Sequence, residues 1–228
     1  MIKSFLNLIY ISTLVFSSQQ IVLVVSDDLN SSTAHMECYE GSKIVCKDIK
    51  VNLGKNGLGW GLGELTLTHK EEVFKKEGDK KAPAGVFRLT SVFGYEKIEN
   101  LNMPYIQASK KLICVDDSKS PFYNQIILAK GNEKSFEYMK RDDSLYKYGI
   151  VVGHNQKAKE QRGSCIFMHI QKGDNIGTAG CTSMRENDLK KIVFWLDESK
   201  NPILIQIPKS SSKEIKKKYP ELLNSKLL

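Results

Sequence analysis

The chain has 228 residues and a formal net charge of +8 at pH 7, with 41% hydrophobic and 26% charged residues. This length is enough to bury a substantial core, and the composition excludes a disordered or fibrous protein. Lysines cluster at residues 75–81 and 209–218, a pattern typical of solvated surface, although a basic face also attracts anionic polymers. No nucleic-acid motif or interleaved aromatic residue accompanies these clusters, which argues against DNA or RNA binding.

Residues 1–19 have the pattern of an export signal. Lys3 precedes an apolar stretch from Phe5 to Phe16, and small and polar residues follow it. The stretch is short for a membrane span, but Ile21–Val25 is apolar again, so an uncleaved N-terminal anchor is the alternative. Both versions predict that the rest of the chain is exported, to the periplasm or cell envelope.

One mostly-β domain is predicted from residue 20 to residue 208, followed by a basic C-terminal tail at residues 209–228. In chain order, strands are predicted at Gln20–Val25, Ala34–Tyr39, Lys43–Lys50, Val86–Leu89, Ile113–Val115, Tyr148–Val152, Ser164–Ile170 and Pro202–Ile207. The glycine-rich segment Leu53–Gly63 fits neither the Rossmann nor the P-loop spacing and predicts a loop. One helix is predicted at Glu186–Asp197, because Leu189, Ile192, Val193 and Leu196 share one helical face.

Five cysteines give an odd count, so at least one is unpaired. Cys38 and Cys46 flank a short turn around Gly41. They either pair across a hairpin or remain as buried thiols, and the second interpretation is preferred. Export would permit disulfides.

A candidate nucleophile and base lie close together in the sequence. His169 ends a predicted strand, and Cys181 follows twelve positions later, after Gly180 and before the predicted helix. A thiol is mostly protonated at neutral pH, and a neighbouring imidazole is a common means of making the thiolate. Gly180 allows close backbone approach, so the amides of Gly180 and Cys181 are candidate oxyanion donors. On spacing alone, an inert buried thiol and a surface histidine are the preferred interpretation, because one cysteine and one histidine are common.

Several segments in the same order resemble the L,D-transpeptidase catalytic domain family (YkuD type). The resemblance rests on His169 and on Thr178-Ala179-Gly180-Cys181, as in a divergent branch with a Thr-Ala-Gly-Cys motif. Further similar segments are Val51–Gly61, Glu77–Phe87, Cys114–Asn124 and Arg162–His169. Ala179 and Ser183 stand where the most widespread form of the motif has a second histidine and an arginine. The similarity extends from about residue 20 to residue 207.

The resemblance implies a mainly β sandwich or barrel with one main helix after the catalytic cysteine. It implies a cofactor-free enzyme of peptidoglycan biosynthesis, acting in cell-wall biogenesis and cell shape, with Cys181 as nucleophile and His169 as base. Cys181 would form a thioester with the third residue of a tetrapeptide stem and release D-alanine. A neighbouring amine would then form a 3–3 crosslink. The alternatives are an L,D-carboxypeptidase that trims tetrapeptides to tripeptides and a catalytically inactive cell-wall-binding module.

Residues for substrate binding are less clearly marked. Arg162 and Arg185 are candidates for the donor carboxylate, with a surface charge as the alternative for each. His154 either lines the cleft or is a strand-end histidine. The Asp116–Asp117 pair and the neighbouring Tyr123 and Asn124 either grip a substrate amine or hold a loop.

The remaining expectations concern metals and reactivity. No two histidines have zinc-ligand spacing beside carboxylates or cysteines, so no metal site is expected. Cys165 is predicted to be structural. Cys181 is expected to have a lowered pKa and to be alkylated before the other cysteines. The sequence predicts no oligomeric state.

Overall fold

The structure, a computed structural model, describes residues 18–65, 67 and 73–228. The predicted export signal at residues 1–19 therefore lies almost entirely outside the described residues. Within them, no helix has the length and apolar character needed to cross a bilayer.

The described residues form thirteen β-strands and two α-helices, with short 3-10 turns at Glu198–Lys200, Lys209–Ser211 and Pro220–Leu222. The strands are β1 (Gln20–Ser26), β2 (Thr33–Glu40), β3 (Lys43–Asn52), β4 (Leu58–Trp60), β5 (Ala82–Gly94), β6 (Tyr105–Gln107), β7 (Leu112–Val115), β8 (Ile126–Leu128), β9 (Phe136–Tyr138), β10 (Tyr148–Val152), β11 (Phe167–Ile170), β12 (Thr182–Met184) and β13 (Ile203–Pro208). The helices are α1 (Glu186–Trp195) and α2 (Ser212–Lys218).

Eight of these strands close into a barrel-like sheet. Their order is β10-β11-β12-β3-β2-β1-β13-β5, and β5 pairs again with β10. The ring closes because β5 is thirteen residues long: residues 85–88 pair with β13, and residues 89–94 pair with β10. Closure leaves these strands without an open edge. The predicted mainly β fold class, with one main helix after the cysteine, is confirmed.

The predicted apolar segments are buried in the core, and the C-terminal segment packs against the barrel. β1 is buried along its whole length between β2 and β13, as a continuous β-branched run predicts. The predicted helical face of α1 is also buried, against β10 and β11. Ile215 and Leu222 are fully buried, and the Ser225 hydroxyl donates to Glu37 at 2.6 Å. The basic C-terminal segment is therefore packed on the barrel.

Four of the five cysteines form two disulfides, and Cys181 is the free thiol. The β2–β3 register places Cys38 opposite Cys46, with Cα atoms 4.8 Å apart, a separation at which a disulfide forms. The hairpin pairing is confirmed, and the preferred interpretation as buried thiols is wrong. The second disulfide, Cys114–Cys165, joins the separate three-stranded sheet β8-β7-β9 to the segment before β11.

That second disulfide also explains where one strand prediction fails. The predicted strand Ser164–Ile170 begins only at Phe167. Cys165 has φ +53°, and its backbone N–H donates to the Asn124 side chain instead of a strand neighbour. Cys165 therefore does not share a strand face with Phe167 and His169. Its predicted structural role is confirmed by the disulfide.

Candidate active site

One cleft of about 470 Å³ is lined by both predicted reactive residues. Cys181, Gly180 and His169 contribute the barrel side of this cleft, which we call the thiol cleft. Glu137 of β9 and Tyr146, just before β10, contribute another wall. The nucleophile and base candidates, twelve positions apart in sequence, are therefore brought to one surface depression.

Strand pairing explains how the two residues meet. β11 and β12 are parallel, with His169 opposite Ser183 and Met168 opposite Thr182. Extending this register by one residue places Cys181 beside Phe167. The Phe167 amide donates a hydrogen bond to the Cys181 sulfur at 3.3 Å. Because alternate residues of a strand share a face, His169 projects on the same side as Phe167. Cys181 and His169 remain 7% and 8% exposed, so a narrow opening reaches both.

The turn before Cys181 needs glycine and is held by threonine. Gly180 has φ +150°, and an added Cβ would lie 3.1 Å from the Lys81 carbonyl oxygen. The Thr178 hydroxyl donates to the Cys181 carbonyl at 2.6 Å and accepts the Gly180 N–H at 3.0 Å. Of the two amides predicted as oxyanion donors, that of Gly180 is therefore already bonded to Thr178. The threonine and glycine of the Thr-Ala-Gly-Cys segment shape the turn that presents the sulfur.

His169 is held as the tautomer that a general base requires. Its Nδ1 lies 2.8 Å from the Ile170 carbonyl oxygen. A carbonyl only accepts hydrogen bonds, so Nδ1 carries the proton and Nε2 carries the lone pair. The imidazole also packs edge-on against the Tyr146 ring, with centroids 5.2 Å apart.

The thiol and the imidazole are both neutral in the free protein. Burial, aided by the negative charge of Glu137, raises the pKa of Cys181 to about 12, although the Phe167 amide, Lys75 and the Tyr146 hydroxyl act in the opposite direction. Burial lowers the pKa of His169 to about 4. The sulfur accordingly donates to the Cys165 carbonyl oxygen at 3.5 Å, as a protonated thiol does. The expectation of a lowered Cys181 pKa is wrong for the free protein, because loss of hydration outweighs the favourable contacts.

Alkylation of Cys181 in the folded protein is therefore expected to be slow and to depend steeply on pH. Only the thiolate reacts, so the iodoacetamide rate should rise about tenfold per pH unit from pH 7 to pH 10, without the plateau of an ordinary thiol. Rates are measured by mass spectrometry on the non-reduced protein, in which Cys181 is the free thiol. The same protein in denaturant is the control and should show a midpoint near 8.5. A folded-state plateau below pH 9 would contradict the assignment.

The four predicted substrate-binding residues lie away from the thiol cleft, as far as the described residues define it. Arg162 lines a separate cleft of about 500 Å³, and its guanidinium lies over the Phe74 ring. His154 is buried, with its two ring nitrogens bonded to the Leu62 amide and the Arg162 carbonyl. Burial lowers the pKa of His154 to about 4. These contacts give His154 a supporting position between loops.

The loop around residues 116–124 contacts residues that line or surround the thiol cleft. Asp117 caps its own turn by accepting the Lys119 amide. The Tyr123 hydroxyl donates to Glu77, a residue of the thiol cleft. Asn124 bonds the carbonyls of His154 and the next residue. Of the two aspartates, Asp116 lines the thiol cleft.

Arg185, the other candidate for the donor carboxylate, is exposed. It forms an ion pair with Asp174, with a separation of 2.7 Å. Asp174 and Arg185 both line a small cleft of about 200 Å³ that is separate from the thiol cleft. The positive charge of Arg185 is therefore already paired with Asp174 at the surface.

Several residues of the thiol cleft were not singled out by the sequence, among them Lys75, Glu137 and Tyr146. Lys75 belongs to a lysine cluster interpreted as solvated surface, yet it is 3% exposed and bonds the Asp79 carboxylate at 2.6 Å. Glu137 and Tyr146 come from segments without a recognisable motif. Asp79 lies four residues after Lys75, but this spacing indicates an ion pair only on a helix, and residues 75–79 are not helical. No sequence spacing links Glu137 or Tyr146 to the cysteine.

A thiol and a neutral imidazole share one cleft of the closed β-barrel. A family model of the L,D-transpeptidase catalytic domain matches residues 21–205, which span nearly the whole barrel. The chain belongs to this family. No curated protein sequence and no solved structure matches the chain.

Proposed function

We propose that the protein is an exported L,D-transpeptidase that acts on peptidoglycan stem peptides, with Cys181 as nucleophile and His169 as base. The observation that carries this proposal is the thiol cleft itself, where Cys181 and His169 from paired parallel strands share one opening. The family supports action on peptidoglycan. The lone pair on His169 Nε2 supports its role in proton transfer.

The proposed first half-reaction forms a thioester. His169 Nε2 takes the thiol proton as the Cys181 sulfur attacks the carbonyl carbon of the third stem residue. The Phe167 amide, 3.3 Å from the sulfur, favours the transient anion. The bond from that carbonyl to D-alanine breaks, and the imidazolium returns the proton to the leaving amine. Pairing the two proton transfers through one imidazole avoids a free thiolate, which burial disfavours.

The second half-reaction resolves the thioester. An acceptor amine loses its proton to His169 as its nitrogen bonds to the acyl carbon, and the carbon–sulfur bond breaks. The sulfur then recovers the proton from the imidazolium. Water in place of the amine gives the trimmed tripeptide of a carboxypeptidase.

Recognition of the donor carboxylate is assigned to cations of the thiol cleft. Lys172 and Arg141 both line it, and Arg141 also pairs with Asp143. Arg162 and Arg185 line other clefts. A guanidinium or ammonium at the rim suits the terminal carboxylate of a stem peptide.

Export is part of the proposal and is supported by the two disulfides. Disulfides persist in oxidising compartments and are rare in the cytosol. The N-terminal pattern at residues 1–19 gives the route, and a periplasmic or cell-envelope location follows.

The proposal is tested by incubating the purified protein with a disaccharide-tetrapeptide and analysing the products by mass. Crosslinked dimers with loss of D-alanine are expected, and Cys181→Ala should abolish them. The paired variant Cys38→Ala/Cys46→Ala is the matched control, because it also removes cysteine sulfur but lies outside the thiol cleft. Tripeptide without dimers would support trimming instead. Full activity in Cys181→Ala would rule out the mechanism.

A further inference from the structure

A half-buried glutamate, Glu137, and a buried tyrosine, Tyr146, lie next to the candidate catalytic residues. The Tyr146 hydroxyl donates to Glu137 Oε2 at 2.6 Å. The Tyr146 ring packs edge-on against His169 at 5.2 Å and Phe167 at 5.6 Å, and Tyr146 belongs to the same buried cluster as Cys181. One side chain therefore contacts the base, the strand beside the nucleophile and a carboxylate.

We propose that Glu137 and Tyr146 are positioning residues of the thiol cleft: the Tyr146 ring fixes the His169 imidazole, and the Glu137 carboxylate, held by the Tyr146 hydroxyl, opposes the sulfur anion in the free protein. This inference rests on the proposed roles of Cys181 and His169. The two effects are separable, since one comes from a ring and the other from a charge.

The ring effect follows from the packing around Tyr146. The ring is 4% exposed and contacts Phe93 at 5.7 Å as well as Phe167. The Arg141 guanidinium lies over it, 5.0 Å from the centroid. A ring held by several neighbours has little freedom, so it restricts rotation of the imidazole that it contacts.

The charge effect follows from a carboxylate placed beside a nucleophile that must become an anion. β9 brings Glu137 to the thiol cleft opposite Cys114 in the small sheet. Burial raises the pKa of Glu137, and Asp116 and Glu77 raise it further, while the Tyr146 hydrogen bond and Arg141 lower it. The Glu137 charge in turn raises the pKa of the Cys181 thiol, whereas Lys75 and the Tyr146 hydroxyl lower it.

This arrangement has a chemical use. An exported free thiol is exposed to oxidants and to disulfide exchange, both of which require the thiolate. A negative charge on Glu137 adds to the effect of burial and lowers the small thiolate fraction of Cys181 further between catalytic cycles. Glu137 therefore protects the thiol at the expense of its intrinsic reactivity.

Glu137→Gln tests the charge effect without any peptidoglycan substrate. The amide oxygen still accepts the Tyr146 hydrogen bond, but the charge is gone. We expect iodoacetamide to alkylate Cys181 about tenfold faster in this variant at pH 9, which corresponds to a thiol pKa lower by about one unit. The difference between the two proteins should shrink as the pH falls, because protonation of Glu137 removes the same charge.

The control is Glu160→Gln, which removes the same charge from an exposed position and should leave the alkylation rate unchanged. An equal or slower rate for Glu137→Gln at pH 9 would overturn the charge effect. A lack of transpeptidase activity would overturn the proposed function but not this result, because alkylation reports on the thiol alone.

Tyr146→Phe and Tyr146→Leu test the ring effect by the imidazole signals of His169 in ¹H–¹⁵N spectra. Phenylalanine keeps the ring, so the protected Nδ1–H signal should persist, and leucine should lose it. Tyr138→Phe on β9 is the control, since Tyr138 is 53% exposed. Where transfer activity is measured, Tyr146→Leu should lower kcat at least tenfold with little change in KM. Identical spectra for the two Tyr146 variants would overturn the ring effect.

Discussion

His169→Ala is expected to reduce transfer from a tetrapeptide donor by at least about a hundredfold, the usual contribution of a general base. The loss should fall on kcat, because in the proposed mechanism the imidazole acts on the sulfur proton and on the leaving amine. Initial rates of D-alanine release, measured with saturating and limiting donor, give kcat and KM separately.

His35→Ala is the matched control for this variant. His35 is an exposed residue of β2 and does not line the thiol cleft, so this protein should retain full activity. The pH–rate profile adds a second check, since the low pKa of His169, about 4, predicts that the free base persists through mildly acidic pH. Activity within threefold of the wild type in His169→Ala would exclude the imidazole as base.

Removing the Cys114–Cys165 disulfide is expected to cost both stability and activity. The disulfide joins cysteines 51 positions apart in the sequence. For a loop of that length, the chain-entropy relation gives a stabilisation of about 4 kcal/mol. It also fixes Cys165, whose carbonyl accepts the Cys181 thiol and whose φ of +53° is unfavourable for a non-glycine residue. Without it, the small sheet that carries Glu137 should move relative to the nucleophile. The double variant Cys114→Ala/Cys165→Ala is examined by urea unfolding and by specific activity of the folded fraction.

The Cys38–Cys46 disulfide provides the comparison. Its separation is only 8 residues, so the same relation gives about 2.5 kcal/mol, and it lies between β2 and β3, outside the thiol cleft. Cys38→Ala/Cys46→Ala should therefore lose less stability and keep its specific activity. Equal loss of activity in the two double variants would show that the Cys114–Cys165 link has no special relation to the site.

The regular part of the fold was predictable because it obeys periodic rules. β1, β10, β13 and α1 carry continuous apolar runs or a helical apolar face, and each was placed within a few residues of its observed bounds. Ring closure was not predictable, because it depends on β5 turning from one partner strand to another midway. The burial of Ile215 was missed for a similar reason, since a lysine-rich flank gives no local sign that the chain returns to the core.

The candidate site was predictable only where it is local in sequence. Cys181, Gly180 and His169 lie within thirteen residues, so their joint chemistry was visible from the sequence. Glu137 and Tyr146 approach them through tertiary packing of the small sheet, and no residue spacing encodes that approach. The direction of the Cys181 pKa was also inaccessible, because it is decided by burial and by a carboxylate that is remote in sequence.

The most direct measurement is the intact mass of the protein after brief incubation with a tetrapeptide donor and no acceptor, followed by mapping of the modified peptide. A mass increase equal to the donor minus D-alanine, located on Cys181 and removed by hydroxylamine, is the predicted result. Product formation without an adduct on Cys181, or an adduct on another residue, would contradict a thioester mechanism.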